Sequence, residues 1–255
     1  MPKKPEEIKE VVVPESKETS LAKLNATEAE AMYGKMERED LVIPRLTVLQ
    51  GLSPEVQDGL GKPGSLFVTS INRELGKEVE IIPLMRNRSR IRWSPRAEGK
   101  GIKCRSTDAI TGQGDPGGAC KPCPQSQWHG NTPPACDLFE NVFVVLRQDA
   151  DWFPLSFSGS RTKMKPFQAL NTLLLMEQMK GRPIFGKSYT IKVVDDKNGK
   201  GDRYFNYRIS VANDNKPLPD AEIEKAKELF QMIRASNVKI DQAPEEDTVA
   251  KNEEL

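Results

Sequence analysis

Hydrophobic positions are sparse up to about residue 40 and become dense at LVIPRLTVLQ (41–50). GLSPEVQDGLGKPG then supplies turn residues and leads into a strand over 65–70. EVEIIPLM (78–85) has the apolar density of a buried strand, and RNRSRIRW (86–93) continues with a strict period of two. Strand text resumes at ENVFVVLR (140–147) and WFPLSFS (152–158). Over 162–180 the period lengthens: Phe167, Leu170, Leu173 and Leu174 form one helical stripe, and Gly181 stops it. SYTIKVVD (188–195) and RYFNYRISVA (203–212) are two further strands, joined by the hairpin turn DKNGKGD. Asp220 reads as an N-cap, and Ile223, Ala226, Phe230 and Ile233 mark the inner face of a second helix. Six or seven strands, with one helix between the strand groups, predict a mainly β chain with helices (α+β). An OB-like, five-stranded or larger, partly open barrel suits that order. A mixed α+β sheet is the rival arrangement.

Residues 94–138 break the pattern, being rich in Gly, Pro and Cys without periodicity, and read as a loop inserted into the core. The chain therefore divides into a flexible arm (1–40, with helical text at 20–37), a core (41–213) carrying the insertion, a C-terminal helix (214–238) and an acidic disordered tail (239–255). The composition agrees: 37% of the 255 residues are hydrophobic and 29% charged, more polar than a compact enzyme. No apolar run reaches the length of a membrane span, and MPKKPEEIKEVVVPESKE lacks the apolar region of a signal peptide, so a cytoplasmic protein without membrane contact is expected.

All four cysteines fall in this insertion, as C-x15-C-x2-C-x12-C: Cys104, Cys120, Cys123 and Cys136. A C-x2-C pair presents two thiolates from one tight turn, which Pro122 stiffens, and two outer cysteines complete a tetrahedral set for zinc. Disulfides, or four unrelated thiols, are the alternatives, and a reducing cytosol favours metal over disulfides. A catalytic zinc keeps one position open, whereas four cysteines fill the sphere, so the expected role is structural. His129, the only histidine, could replace one cysteine but reads as a surface or supporting residue. Four thiolates leave about two negative charges on the site, which Lys103, Arg105 and Lys121 beside the ligands would offset. Zinc contributes on the order of 10–16 kcal/mol in small peptides. Ordering backbone costs roughly 1–2 kcal/mol per residue. On that comparison zinc fixes the knuckle, and TGQGDPGG (111–118) is expected to stay mobile or to order on a partner.

The net charge of +1 hides segregation: MRNRSRIRWSPRAEGKGIKCR (85–105) sets one acid among eight bases, while APEEDTVAKNEEL at the end is mostly acidic. On a strand, Arg86, Arg88, Arg90 and Arg92 project from one face, and Ile91 and Trp93 from the other. Four like charges on one face call for an anion, phosphate being the obvious one. Lys100, Lys103 and Arg105 continue the trend. The bland reading is an edge strand guarded by charge. Arg161, Lys163 and Lys165 sit at the start of the helix at 162–180, where the dipole disfavours cations unless an anion joins them. Exposed lysines tolerated at small cost are the alternative there. Trp93, Trp128, Trp152 and Tyr204, the last with Arg208 on its strand face, are the candidate base-stacking groups, with core packing as the alternative for each.

The cysteines at 104, 120, 123 and 136, the basic-aromatic strand at 86–93 and the tail at 243–255 together resemble the single-stranded DNA-binding proteins of tailed bacteriophages. IPRLTVLQGLSPEV and GKPGSLFVTS look like text of such phage proteins. The resemblance covers about residues 41–213, plus the tail by composition. It implies an OB-fold core with a zinc-binding insertion, single-stranded DNA as ligand, and a tail that recruits replication or recombination proteins. Such a tail could also compete with DNA for the basic groove, and self-association on the DNA is possible. One departure is visible: the best-known members use a histidine in place of one of the four cysteines. The function expected is a non-enzymatic protein that coats and protects single-stranded DNA in replication, recombination or repair. The alternative is a zinc-braced transcription or virion factor that binds a polymerase or duplex DNA. A nuclease is disfavoured, because no phosphate-binding loop, histidine-rich centre or acidic metal cluster is apparent.

Overall fold

The computed structural model describes residues 42–95, 101–150, 152–199 and 201–236. The expected N-terminal arm, Lys100 and the acidic tail lie outside the described residues. The described residues all belong to one compact unit, Leu41–Leu255.

In chain order the elements are β1 (Arg45–Val48), the short α1 (Pro54–Gln57), β2 (Leu66–Val68), β3 (Arg73–Gly76), β4 (Glu78–Trp93), β5 (Ile102–Ser106), β6 (Thr111–Gly114), β7 (Gly118–Ala119), β8 (Cys136–Leu146) and β9 (Leu155–Gly159). Then come α2 (Met164–Met179), β10 (Tyr189–Lys197), β11 (Arg203–Val211) and α3 (Asp220–Ser236). The chain is thus mainly β with a few helices, as the sequence predicts. Among the described residues the eleven strands form one mixed sheet, in the order β3-β2-β1-β9-β8-β4-β5-β6-β7, with β10 pairing β4 and β11 pairing β10. Among the described strands only β1 and β9 run parallel. The sheet is not a closed barrel. At the β11 edge the Gln50 side-chain amide donates to Phe205 O and accepts from Phe205 N, both at 2.9 Å, in place of a ladder partner.

Both faces of the sheet are buried at one end. Val142 and Val144 of β8 face a core with Ile81, Phe157, Tyr189 and the α2 residues Phe167, Leu170 and Leu174. Phe143 and Val145 face a second core with Ile82, Leu84, Phe185 and the α3 residues Ala226 and Ile233. This double burial is why β8 reads as an unbroken apolar run. Arg147, at the end of β8, bonds Glu80 of β4 and Glu222 of α3 and fastens the helix to the sheet. α2 begins with a 3-10 turn over Arg161–Lys163, and its Phe167 ring lies against Gly159, where a Cβ would stand 2.4 Å from the ring.

Two sequence expectations change, and one feature of register is added. The two strand segments at 78–85 and 86–93 are one strand of 16 residues. The register slips between Pro83 and Met85, so that Leu84 is an extra residue without a β8 partner. Proline, which cannot donate to a ladder, is tolerated at such a bulge. Finally, the aperiodic insertion contains β5, β6 and β7, and TGQGDPGG is a β-hairpin rather than an unstructured loop. Glycine text hides such a hairpin because its strands carry no side-chain alternation.

Candidate metal centre and basic strand

The bulge at Leu84 decides where the arginines point. Before it, odd-numbered residues of β4 face the first core: Ile81 lies opposite Leu146. After it the parity is reversed, and Arg86 lies opposite Val142 of that same core. Directly opposed residues share a face. The arginine stripe therefore continues the face of the first core beyond its end, away from α3.

Along this face the next rows are Arg88 opposite Glu140, Arg90 opposite Leu138 and Arg92 opposite Cys136. On the other side of β4, Ser106 lies opposite Arg90 and Cys104 opposite Arg92. β4 is thus an interior strand at Arg90 and Arg92, whereas at Arg86 and Arg88 it pairs with β8 alone, so the reading of a charge-guarded edge is overturned only for the upper pair. Glu140 is 1% exposed, and it accepts from Arg86 Nη2 at 3.2 Å and from Arg88 Nε. Both guanidiniums still reach solvent, with side chains 40% and 53% exposed. Arg92 is more enclosed, at 21%, and donates to the carbonyl and carboxylate oxygens of Asp115. Arg90 lines the same cavity as Cys136.

The four cysteines line one cavity of ≈ 20 Å³, together with Arg90 and Arg92. Cys104 comes from β5 and Cys136 from β8, on either side of Arg92; Cys120 and Cys123 come from the turn after β7. All four are free thiols, and Cys104, Cys120 and Cys136 are buried. The turn is tied by the Ser126 hydroxyl, which donates to the carbonyls of Cys120 and Cys123. Gly112 closes the cavity wall: a Cβ there would stand 2.9 Å from Cys104 Sγ and 3.7 Å from Cys120 Sγ. Burial pushes the Cys136 thiol up from its ordinary pKa, while Arg90 acts in the opposite direction. Among the described residues no group of three or more His, Cys, Asp or Glu side chains stands in ready ligating geometry. The donor set fits a borderline-soft ion such as zinc: four sulfurs, a cavity with room for about one water-sized species, and a wall that excludes a Cβ. His129 is outside this cavity and exposed, with Nε2 donating to Pro124 O at 2.9 Å.

The other predicted groups do not gather at one place. Lys103 and Arg105 are half-buried on β5, and Arg105 lies opposite Ile91, on the face away from the stripe. Trp93 is half-buried opposite Ile102. Trp128 is 66% exposed. Trp152 packs on the second core, with Lys225 Nζ 4.7 Å from its ring centroid. Arg161 grips Asp137 through two hydrogen bonds of 2.7 and 3.0 Å, and Lys163 is buried with its Nζ 5.7 Å from the Tyr207 centroid. Lys165 is exposed. Tyr204 gives its hydroxyl to Asp196, which Asn206 also bonds, and these contacts hold the Asp196 carboxyl below its ordinary range. Arg208 is exposed, opposite Lys192.

Sequence reasoning missed Glu140, Asp137 and Asp115, the acids that hold the basic residues. Glu140 and Asp137 sit where β8 leaves the core, and two acids flanking the apolar run of a central strand were the available signal. Phe153, 59% exposed between β8 and β9, was also passed over, although it adjoins Trp152 in the sequence.

No helix among the described residues is long and apolar enough to cross a membrane. The model of a protein family described as Pam3 phage gp34-like matches residues 16–239. No curated protein and no solved structure matches the chain.

Proposed function

The chain belongs to the Pam3 phage gp34-like family, and from that premise we propose that it is a non-enzymatic single-stranded-DNA-binding protein with a structural zinc. The observation that carries this reading is the connectivity around the cysteine segment. β4, β8 and β9 form an antiparallel meander, α2 follows, and the β10–β11 hairpin returns to pair with β4. This order is consistent with the five-stranded OB design. There, the face of the second and third strands and the loops after the first and fourth bind oligonucleotides. By that correspondence the cysteine segment is the first of these loops and the Lys197–Arg203 turn is the second.

The chemistry of these places suits a single strand. Arg86 and Arg88 offer half-exposed guanidiniums for phosphate, while Trp128 on the cysteine segment offers an exposed ring on which bases could stack. Cys104, Cys120, Cys123 and Cys136 would hold the zinc, whose contribution is to brace the loop that carries Trp128. The acidic tail would recruit replication or recombination proteins.

The test is a titration with a single-stranded oligonucleotide and with its duplex at several salt concentrations, followed by tryptophan fluorescence. The expected result is preference for the single strand, weak sequence dependence and a steep fall of affinity with salt. Equal or tighter binding of the duplex would overturn the reading in favour of a duplex-binding regulator.

A further inference from the structure

The arginine stripe is not uniform. Its lower half, Arg86 and Arg88, shares the buried carboxylate of Glu140 and reaches solvent. Its upper half lies against sulfur. Cys104, Arg92 and Cys136 form one row across β5, β4 and β8, and Arg90 stands one row below, lining the same cavity as Cys136. Arg92 is also held from across the cavity mouth by Asp115, next to Pro116 and Gly117 of the cavity wall. Lys103, Arg105 and Lys121, the cations nearest the cysteines in sequence, do not line the cavity.

Charge balance gives this division a purpose. Four thiolates around a divalent ion leave two negative charges in a partly desolvated space, and such charge is costly unless opposite charge is built in. Two guanidiniums supply positive charge from an interior stretch of β4, that of Arg92 shared with the exposed carboxylate of Asp115. We propose that Arg90 and Arg92 are the counter-charges of the cysteine centre, recruited for zinc retention rather than for phosphate binding. This rests on the zinc reading above. The stripe then has two jobs: its exposed half meets nucleic acid and its enclosed half neutralises the metal site. Arginine suits the second task, because it stays charged and donates in a fixed plane.

The experiment is competition for zinc between the full-length protein and a chromophoric chelator. It compares wild type, Arg90→Gln, Arg92→Gln, Arg90→Lys and the control pair Arg86→Gln/Arg88→Gln. Cobalt(II) loading reports separately, through its thiolate absorption, that the ligand set is intact. Each of R90Q and R92Q is expected to weaken zinc retention by about 10–100-fold, the usual effect of losing a group that supports metal ligands. R90K should recover part of the loss, since it restores charge without the planar fork, and the control pair should retain zinc like wild type. With zinc saturating, R90Q should bind a single strand more nearly like wild type than the control pair does. Wild-type zinc retention in both R90Q and R92Q would overturn the proposal alone. A wild-type protein that takes up no zinc would overturn the zinc reading as well.

Discussion

At the scale of single residues, the charges of this protein are arranged around a few buried acids. Glu140 is the clearest case: enclosed at the end of the first core, it draws Arg86 and Arg88 together and holds them in a common orientation. In free solution these arginines would repel one another; beside Glu140 they form a half-exposed pair with one net positive charge. Removing the carboxylate charge should release both guanidiniums to an incoming backbone. Glu140→Gln is therefore expected to tighten single-strand binding at low salt and to steepen the slope of log affinity against log salt, by about 0.7 for each phosphate gained. A salt titration of the variant against wild type measures this. An unchanged or shallower slope would mean that the pair already engages all the phosphate it can.

At the scale of elements, one extra residue in β4 sets the side of the sheet on which the site is built. With Leu84 inserted, the arginines fall on the face of the first core, where Glu140 and Cys136 meet them. Without it, the period of two would turn all four toward the face that carries α3 and the second core. Deleting Leu84 should thus cost far more than truncating it. Leu84→Ala removes buried apolar volume and is expected to destabilise by about 2–5 kcal/mol. The deletion should abolish cooperative folding or leave a species without the cysteine centre, as seen in denaturant unfolding followed by tryptophan fluorescence. Equal stability of the two variants would show that the ladder re-forms around the gap and that the bulge does not specify the register. The start of α2 tells a similar story: two of the three cations there have protein partners, Arg161 on Asp137 and Lys163 over the Tyr207 ring, while Lys165 is exposed.

At the scale of the molecule, stability is concentrated at the end of the sheet away from the cysteines, where both faces carry a core and a helix. A buried charge cluster joins these parts. Glu177 of α2 accepts from Lys180, Lys187 and Arg182, and Lys187, itself 3% exposed, also donates to Asn215 in the turn that leads to α3. Burial by itself would raise the Glu177 carboxyl, but the three cationic partners outweigh it and hold it at about 2, from an ordinary value of 4.5. A depressed carboxylate contributes stability above its unfolded pKa and loses it as pH falls through the folded one. The melting temperature should accordingly fall as pH drops from 4.5 to 2, and Glu177→Gln should flatten that part of the profile. At neutral pH the same substitution leaves Lys187 without its charge partner and is expected to cost about 3–5 kcal/mol. Calorimetry over this pH range gives both numbers, and an acid profile unchanged by the substitution would remove Glu177 from the account.

Much of this was legible in the chain. Local periodicity suffices to show that 86–93 is a strand with its arginines on one face, that Phe167, Leu170 and Leu174 form the inner stripe of a helix, and that four cysteines share one segment. These are properties of near neighbours, and the backbone geometry of strands and helices fixes them. What lay beyond the sequence is whatever depends on a partner distant along the chain. The hairpin of β6 and β7 is written in glycines, which carry no pattern. The bulge at Leu84 shows only against β8, because register belongs to a pair of strands and not to either one. Only the assembled sheet could divide the stripe, giving Arg86 and Arg88 to Glu140 from 52 to 54 positions away and Arg90 and Arg92 to the cysteines. The sequence by itself determined which charges and sulfurs this protein has and on which face each strand carries them. The tertiary structure decided which charge neutralises which, since Coulomb energy depends on distance in space and the chain records only distance along itself.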